Sequence, residues 1–243
     1  MDLPDFVKKA ALFMVSKRVS VPENPINRYH ELLMLKKLID DLNINCIFDV
    51  GANRGQFADE LRQIGYKKDI ISFEPVPSEF DALYDKFKND PCWLGKKIAL
   101  GDENKTATIN VDPNLTVMSS ILIPIENASD YVQTVSIEVR RLDDLYSELV
   151  SGIENPRVFL KLDTQGYDLN VFRGAEKCRS NILGLQSEVS VQPLYEGMPS
   201  YLEALREYES DGFELYNLEA VSRTHTGGLQ EMNSFMRRRN ERL

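Results

Sequence analysis

The sequence has 243 residues, of which 29 are Lys or Arg and 38 are Asp or Glu, so its net charge at pH 7 is −9. Nucleic-acid binders neutralise phosphates with a basic surface, so this charge balance disfavours a nucleic acid as partner. Hydrophobic residues make up 42% and charged residues 28%, which is typical of a globular protein and excludes a disordered or fibrous one. A single α/β domain with a sizeable core is expected at this length.

Residues 1–43 are predicted to form an N-terminal helical cap. Apolar residues share one helical face in the first 20 residues, Pro22 and Pro25 break that pattern, and a second amphipathic helix is predicted over 27–42. Packing of the first helix on the main domain, or over the mouth of its site, is favoured over contact with a membrane surface. The apolar run 10–15 is too short to span a bilayer.

The cysteine pattern bears on the compartment. Cys46, Cys92 and Cys178 are odd in number and far apart in sequence, which is typical of reduced thiols rather than of a disulfide framework. We therefore expect a cytoplasmic protein. A homo-oligomer is left open, because nothing in the sequence decides the oligomeric state.

From residue 44 to 243, short apolar runs alternate with helical patterns, which predicts one α/β domain with a mostly parallel sheet and helices between its strands. Strands are predicted over 46–50, 70–73, 93–100, 158–162, 183–189, 213–218 and 231–237. Helices are predicted over 56–65, 78–88, 142–150, 167–178 and 200–210. Segments 106–111 and 135–139 depart from this alternation and are predicted to form a small hairpin-like β insertion.

The most informative segment is 47–57, in which an apolar strand runs into Gly51 and Gly55 and then into a helix. Glycines allow a sharp turn and close approach of a ligand, and the start of the helix offers free N–H groups. Glu74 ends the next predicted strand, where a carboxylate can accept hydrogen bonds from both hydroxyls of a ribose. Together these features predict a site for an adenosine-containing cofactor.

The spacing of the glycines argues against a dinucleotide. Asn53 and Gln56 stand where the G-x-G-x-x-G fingerprint requires its second and third glycines, so NAD fits poorly. The sequence also lacks the G-x-x-x-x-G-K-[ST] pattern of a phosphate-binding loop, which disfavours ATP and GTP. The amino-acid moiety of S-adenosylmethionine needs only a shorter turn and a side-chain amide.

These motifs resemble the FkbM-type methyltransferases over about residues 44–220. The resemblance is carried, in chain order, by D-V-G-A-N-x-G (49–55), F-E-P (73–75), A-L-G-D (99–102), S-S (119–120), L-D-D-L (142–145), K-L-D-T-Q-G (161–166) and F-R-G-A (172–175). It implies a Rossmann-like class I fold with a seven-stranded sheet, S-adenosylmethionine as cofactor, and a hydroxyl of a sugar, glycan or other small molecule as acceptor.

The resemblance also implies a set of cofactor-binding residues. Within it, Glu74 would bind the ribose, Asp102 would lie beside the adenine, and the glycine turn would line the methionine end. The full set is Asp49, Gly51, Ala52, Asn53, Gly55, Phe57, Glu74, Pro75, Asp102 and Ser119. One departure is Gln165, where the family commonly has Glu, so this chain lacks one carboxylate of the implied catalytic site.

Asp163 and Glu188 are the candidate catalytic carboxylates, because each stands at or near the end of an apolar strand, where ligands of open α/β sheets gather. Asp163 is expected to act as base or substrate orienter, with Glu188 sharing that task and Gln165 beside them. The structural alternatives are that Asp163 caps the following helix, and that Glu188 forms an ion pair with Lys161 or Arg173.

Three further features are weaker candidates. Asp143 and Asp144 are expected to begin a helix, with a divalent cation held together with Asp163 and Glu188 as the alternative, and no metal ligands are assigned. His225 lies in a glycine-bearing loop, so we expect it to be a solvated loop residue rather than a general base. The loop 192–199 is as consistent with facing the substrate as with packing.

The predicted function is S-adenosylmethionine-dependent O-methylation of a hydroxyl on a sugar, glycan or natural product. Two alternatives remain from other classes. One is a non-catalytic scaffold that keeps the cofactor site, suggested by Gln165. The other, which the glycine spacing disfavours, is a nucleotide-dependent oxidoreductase.

Overall fold

The computed structural model describes residues 23–112, 116–125 and 133–239, with side chains from residue 28 onward. The strands are β1 (Cys46–Val50), β2 (Asp69–Phe73), β3 (Trp93–Lys96), β4 (Ala99–Leu100), β5 (Lys105–Val111), β6 (Gln133–Arg140), β7 (Val158–Leu162), β8 (Ile182–Ser190), β9 (Phe213–Arg223) and β10 (Leu229–Arg238). The helices are α1 (Glu23–Asp41), α2 (Gln56–Gln63), α3 (Pro77–Phe87), α4 (Leu142–Leu149), α5 (Asp168–Arg173) and α6 (Tyr201–Ser210). None of these helices has the length and apolar character needed to cross a membrane.

Seven strands form the central sheet in the order β3-β2-β1-β7-β8-β10-β9. All neighbours pair in parallel except β10, which is antiparallel to both β8 and β9. The strand order reverses between β1 and β7, and the carboxyl ends of parallel strands at such a point form the usual ligand crevice of an open α/β sheet. The prediction of a mostly parallel seven-stranded sheet is confirmed.

Helices cover both faces of this sheet, as predicted. On one face, apolar residues of α1, α2 and α3 share a core with Ile47, Phe159 and Phe235. On the other face, α4, α5 and α6 pack against a second core that includes Phe48 and Leu160. β1 and β7 are buried at every residue, which explains why their sequences read as continuous apolar runs rather than alternating ones.

A second, three-stranded sheet has the order β4-β6-β5, with β5 and β6 antiparallel. The hairpin-like insertion is therefore confirmed. The prediction of one strand over 93–100 is wrong, because the chain leaves the central sheet after Lys96, and Ala99 and Leu100 pair with β6 instead. β3 lies at the edge of the central sheet and β4 at the edge of the small one.

Two predicted helices have different bounds. α1 begins at Glu23 and contains Pro25, which the sequence pattern places before the helix. Proline is tolerated in the first turn, where its missing N–H has no partner to lose. The helix predicted over 167–178 ends at Arg173, because the chain turns at Gly174, whose Cβ as alanine would lie 1.9 Å from the Gly101 carbonyl oxygen. The helix predicted within the first 20 residues lies outside the described residues.

Candidate active site

A sharp turn follows β1 at the carboxyl edge of the sheet. The N–H groups of Gly51 and Ala52 both donate to the Phe73 carbonyl oxygen at 3.0 Å. Gly51 has φ of +77°, and a Cβ there would lie 1.9 Å from the Asp163 carbonyl oxygen. Asn53 also has positive φ, at +47°. Only glycine fits at position 51, and the turn presents bare backbone to the cavity beside it.

Gly55 serves the packing of the turn rather than the cavity wall. Its φ is +79°, and a Cβ would lie 2.7 Å from Leu83 Cδ1 and 2.6 Å from Phe87 Cε2. Gly55 therefore lets α3 pack closely on the start of α2. Phe57, in the first turn of α2, does line the cavity.

Glu74, the residue after β2, faces the glycine turn. Its carboxylate accepts hydrogen bonds from the backbone N–H groups of Asn53 and Val76, both at 2.8 Å. Burial raises the pKa of Glu74 to about 7, although both hydrogen bonds oppose that rise. Because a carboxylate has about four lone-pair sites, Glu74 retains acceptor capacity toward the cavity.

The strand register explains why polar residues from five strands meet at one edge. Ser72, Asp49, Lys161, Gln186 and Phe235 are neighbours in register across β2, β1, β7, β8 and β10. Side chains two positions apart lie on the same face of a strand. The next row on that face, toward the carboxyl ends of the parallel strands, is therefore Glu74, Gly51, Asp163, Glu188 and Asn233.

Lys161 connects the floor of the site to Asp163. Its Nζ lies 3.1 Å from Asp49 Oδ1 and 3.3 Å from Asp163 Oδ2, and donates to the Gly51 carbonyl oxygen at 3.3 Å. Burial alone would lower the pKa of Lys161, but the two carboxylates outweigh it and raise that pKa, so the ammonium stays charged. Asp49 was expected to bind the cofactor, but it is fully buried beneath the cavity and does not line it.

Gln165 is the centre of a hydrogen-bond network. Its amide Nε2 donates to Asp163 Oδ1 at 3.1 Å and to Glu188 Oε2 at 2.9 Å. The Tyr195 hydroxyl lies 3.0 Å from Gln165 Oε1 and 3.1 Å from the Met118 carbonyl oxygen, and donates toward both. The backbone of Gln165 has φ of +51° and its carbonyl accepts from Ser120 Oγ at 2.7 Å. The amide thus joins both candidate carboxylates.

The two structural alternatives for these carboxylates are wrong. α5 begins at Asp168 without a side-chain cap, so Asp163 does not cap it. Lys161 pairs with Asp49 and Asp163, and Arg173 pairs with Glu207 instead of Glu188. The pKa of Glu188 is raised well above its usual value, first by removal from water and then by neighbouring carboxylates, Asp163 foremost.

Asp102, expected beside an adenine, lies outside the cavity. Its carboxylate accepts from Asn170 Nδ2 at 3.1 Å and from the Tyr167 hydroxyl at 3.4 Å, and these contacts hold it away from the cavity wall. Ser119 does line the cavity, as do Ala52 and Pro75. The wall near Ser119 is mainly apolar and consists of Ala99, Leu100, Ile109, Val117 and Ile121.

The glycine turn, Glu74, Lys161, Asp163, Gln165 and Glu188 line one cavity of about 320 Å³. Past Glu188 it continues to residues for which the sequence carried no motif. Gln186 is the exception that could have been noticed, because it shares a face of β8 with Glu188, two residues further along the strand. The remaining wall residues at this end come from distant segments, namely Arg28, Glu60, Val221 and Asn233.

The weaker candidates lie elsewhere. His225 is exposed and does not line the cavity. Asp143 and Asp144 lie in the first turn of α4, where the Asp143 carboxylate accepts from the Lys177 and Cys178 N–H groups. Across residues 23–112, 116–125 and 133–239, no three His, Cys, Asp or Glu side chains are grouped to hold a metal ion. The suggested divalent cation is therefore unsupported.

The strand order, the glycine turn and the carboxylate after β2 define an S-adenosylmethionine-dependent methyltransferase of class I. Residues 49–215 match the Methyltransferase FkbM domain. The chain belongs to the FkbM methyltransferase family, which confirms the resemblance carried by its motifs.

Individual relatives are distant. The chain is 24% identical to the 2-O-methyltransferase NoeI of Sinorhizobium fredii (strain NBRC 101917 / NGR234), over 81% of this chain and 86% of that protein. It is similar to the structure of magnesium protoporphyrin IX methyltransferase from Synechocystis PCC 6803 with bound S-adenosylmethionine, with TM-score 0.48, 9% identity, and coverage of 88% of this chain and 80% of that one. It is also similar to the structure of Aeropyrum pernix fibrillarin in complex with S-adenosyl-L-methionine, with TM-score 0.45 and 11% identity. The match covers 79% of this chain and 66% of the fibrillarin chain.

Proposed function

We propose that this methyltransferase transfers a methyl group to a hydroxyl of a sugar, glycan or natural product. The observation that carries the proposal is the pair Asp163 and Glu188, joined by the Gln165 amide beside the glycine turn. A hydroxyl is a weak nucleophile, so a carboxylate next to the transfer point is the group such a reaction needs. The name of the relative NoeI, a 2-O-methyltransferase, is in line with a hydroxyl acceptor.

The cavity suits S-adenosylmethionine. Gly51, Ala52 and Asn53 line the cavity, and at Gly51 no side chain stands between the backbone and a ligand. We assign the amino-acid end of the cofactor to the backbone of Gly51, Ala52 and Asn53 with Phe57 beside it, and its ribose to Glu74. Pro75 and Ser119 complete the wall. When bound, S-adenosylmethionine supplies a methyl group activated by a positively charged sulfur.

The two carboxylates divide the work on the acceptor. Asp163 is held in place by Lys161 and by the Gln165 amide, and it orients the acceptor hydroxyl. Glu188 accepts the proton of that hydroxyl as the oxygen forms its new bond to carbon, because its raised pKa gives it greater affinity for a proton. Both stay close to the turn, which keeps the reacting groups aligned.

Gln165 is compatible with turnover. An amide donates hydrogen bonds to two carboxylates at once, whereas an ionised Glu would add a third negative charge. This favours an enzyme over the non-catalytic scaffold. Gln165→Glu separates the two, because methyl transfer that arises only in the variant would favour the scaffold. We further propose that residues 44–243 form the methyltransferase domain and residues 1–43 its cap.

Radiolabelled methyl transfer from S-adenosylmethionine to a panel of hydroxyl, amine and thiol compounds tests the function. We expect Glu188→Gln and Asp163→Asn each to lower the rate about 100-fold or more, as for loss of a general base or its partner. Glu209→Gln, an exposed change on α6, serves as matched control and keeps the full rate. Transfer at the wild-type rate by both site variants would contradict these roles. Transfer only to nitrogen or sulfur acceptors would contradict the hydroxyl.

A further inference from the structure

The end of the cavity beyond Glu188 is built partly from residues outside the matched domain. Arg28 of α1, Val221 of β9 and Asn233 of β10 line it, and all three lie outside residues 49–215. The residues of the glycine turn and Glu74 all lie inside that range. One cavity therefore joins a cofactor end inside the family domain to a second end that includes residues outside it.

Gln186 is the most informative residue at this second end. Its side chain lines the cavity, the residue is 5% exposed, and its Oε1 has no hydrogen-bond partner among the described residues. A buried carbonyl oxygen left unpaired is unfavourable, because it has lost its hydrogen bonds to water. A ligand that donates a hydrogen bond would remove this cost. Because Oε1 can only accept, the matching group on the ligand is a donor such as a hydroxyl.

Gln186 is part of an array of acceptors. Glu188 lies two residues further along the same face of β8, about 6–7 Å away along the strand. Asn233 lies opposite Glu188 in the antiparallel pairing of β8 with β10. This spacing suits several hydroxyls carried by one ring, with one hydroxyl at Glu188 and another at Gln186.

The two cationic side chains that line the cavity, Arg28 and Lys161, are already paired with carboxylates. Arg28 donates from Nε to Glu60 at 2.8 Å and pairs with Glu31 at 2.6 Å. Glu31 also accepts from Asn233 Nδ2 at 2.7 Å, which fastens α1 to β10. Lys161, the other cation of the wall, pairs with Asp49 and Asp163. An anionic group would therefore meet carboxylates and cations that already have partners, which is unfavourable.

We propose that Gln186, Glu188 and Asn233, walled by Arg28 of α1, form the acceptor subsite, and that the ring that accepts the methyl group is uncharged and carries several hydroxyls. This inference rests on the proposed function, which it extends by a ligand class and a set of binding residues. α1 is thereby part of the active site.

Saturation-transfer NMR on protein saturated with S-adenosylhomocysteine (SAH) tests the subsite. The probes are the methyl glycosides of glucose, galactose, mannose, rhamnose and N-acetylglucosamine, and the charged counter-probes are glucuronic acid and glucose 6-phosphate. We expect saturable binding of at least one neutral glycoside and weaker binding of both anions.

Gln186→Leu separates a ligand-binding role from a structural one. Leucine keeps the approximate volume and removes the unpaired oxygen, so the melting temperature should be unchanged or higher. We expect the variant to bind SAH like wild type but the glycoside about tenfold more weakly, as for one lost hydrogen bond. Gln63→Leu, an exposed change on α2, is the matched control and leaves both affinities unchanged.

Three results would overturn the subsite while SAH still binds. They are binding of none of the neutral glycosides, tighter binding of an anion than of its neutral counterpart, and full glycoside affinity in Gln186→Leu. Failure of folded wild-type protein to bind SAH at all is a different result, because it removes the proposed function and this inference with it.

Discussion

The two ends of the cavity are built in opposite ways. At the cofactor end the main chain forms the wall, and Glu74 has both carboxylate oxygens engaged by backbone N–H groups. At the other end, side chains from α1, β8 and β10 form the wall, and Gln186 Oε1 has no partner among the described residues. A wall of backbone depends on a few glycines and tolerates little change. A wall of side chains can be altered one residue at a time.

The largest expected effect is at the backbone wall. Gly51→Ala places a Cβ 1.9 Å from the Asp163 carbonyl oxygen at a φ of +77°, so clash and strain add. We expect the free energy of unfolding to fall by about 3 kcal/mol or more, and SAH binding to be lost. Denaturant unfolding and calorimetry measure the two effects.

Gly65→Ala is the matched control for that change. Gly65 has φ of +93°, but the methyl group of an alanine there would meet no atom of the described residues within 4 Å, so only strain remains. It should cost about 1–2 kcal/mol and leave SAH affinity unchanged. Equal costs for the two substitutions would contradict the close approach of the turn to Asp163.

Glu74 gives the cofactor end a pH dependence. Because its pKa is raised from 4.5 to about 7, the folded protein keeps a proton that the unfolded chain has released, and the stability contributed by Glu74 falls as pH rises through that window. SAH binding favours the ionised carboxylate, so we expect affinity to be about tenfold lower at pH 6 than its plateau above pH 8. Calorimetry at several pH values measures this.

Glu74→Gln should flatten the pH dependence and lower the plateau affinity by about 1–3 kcal/mol. Glu103→Gln, which changes an exposed residue, should do neither. If SAH affinity still depended on pH in Glu74→Gln, the titrating group would be another one, such as Glu188.

Tyr195 contacts Gln165, whose amide joins Asp163 and Glu188 between the two ends of the cavity. Tyr195→Phe removes the hydroxyl that fixes the Gln165 amide, so Nε2 is no longer held toward both carboxylates. We expect kcat to fall about tenfold, corresponding to about 1–1.5 kcal/mol, with SAH affinity within about twofold of wild type. Tyr84→Phe, an exposed change on α3, should leave both unchanged. A weaker SAH affinity with unchanged kcat would place Tyr195 at the cofactor end instead.

The smallest effect is expected outside the cavity. Arg173 and Glu207 form a two-point pair, with Arg173 Nε donating to Glu207 Oε1 at 2.9 Å, but the Arg173 side chain is 49% exposed. Arg173→Gln should therefore lower the free energy of unfolding by about 1 kcal/mol or less and leave methyl transfer unchanged. A strong loss of activity would indicate that Arg173 acts on Glu188 after all.

The cofactor end can be located from the sequence because its residues are contiguous. The turn after β1 and Glu74 lie in two short segments, and the glycines there report directly on backbone conformation. A motif gives no side-chain direction, and it could not show that the Asp102 carboxylate contacts Tyr167 and Asn170 and does not line the cavity.

The acceptor end escapes sequence reasoning for the opposite reason. Arg28 and Asn233 are separated by most of the chain, and only the register of β8 with β10 and the packing of α1 bring their surroundings together. Sequence spacing alone suggests that Lys161 is the partner of Glu188. It cannot show that β1 lies beside β7, which brings Asp49 of β1 next to Lys161. Such contacts depend on tertiary structure and leave no local pattern.

Calorimetric titration of wild type, Glu74→Ala and Gln186→Leu with SAH, and of wild type with NAD, tests most directly whether the two ends are separate. We predict saturable SAH binding by wild type, no binding of NAD, affinity lower by about 1–3 kcal/mol in Glu74→Ala, and wild-type affinity in Gln186→Leu. Folded wild-type protein that does not bind SAH would contradict the cofactor site. Equal losses in Glu74→Ala and Gln186→Leu would contradict the division of the cavity into a cofactor end and an acceptor end.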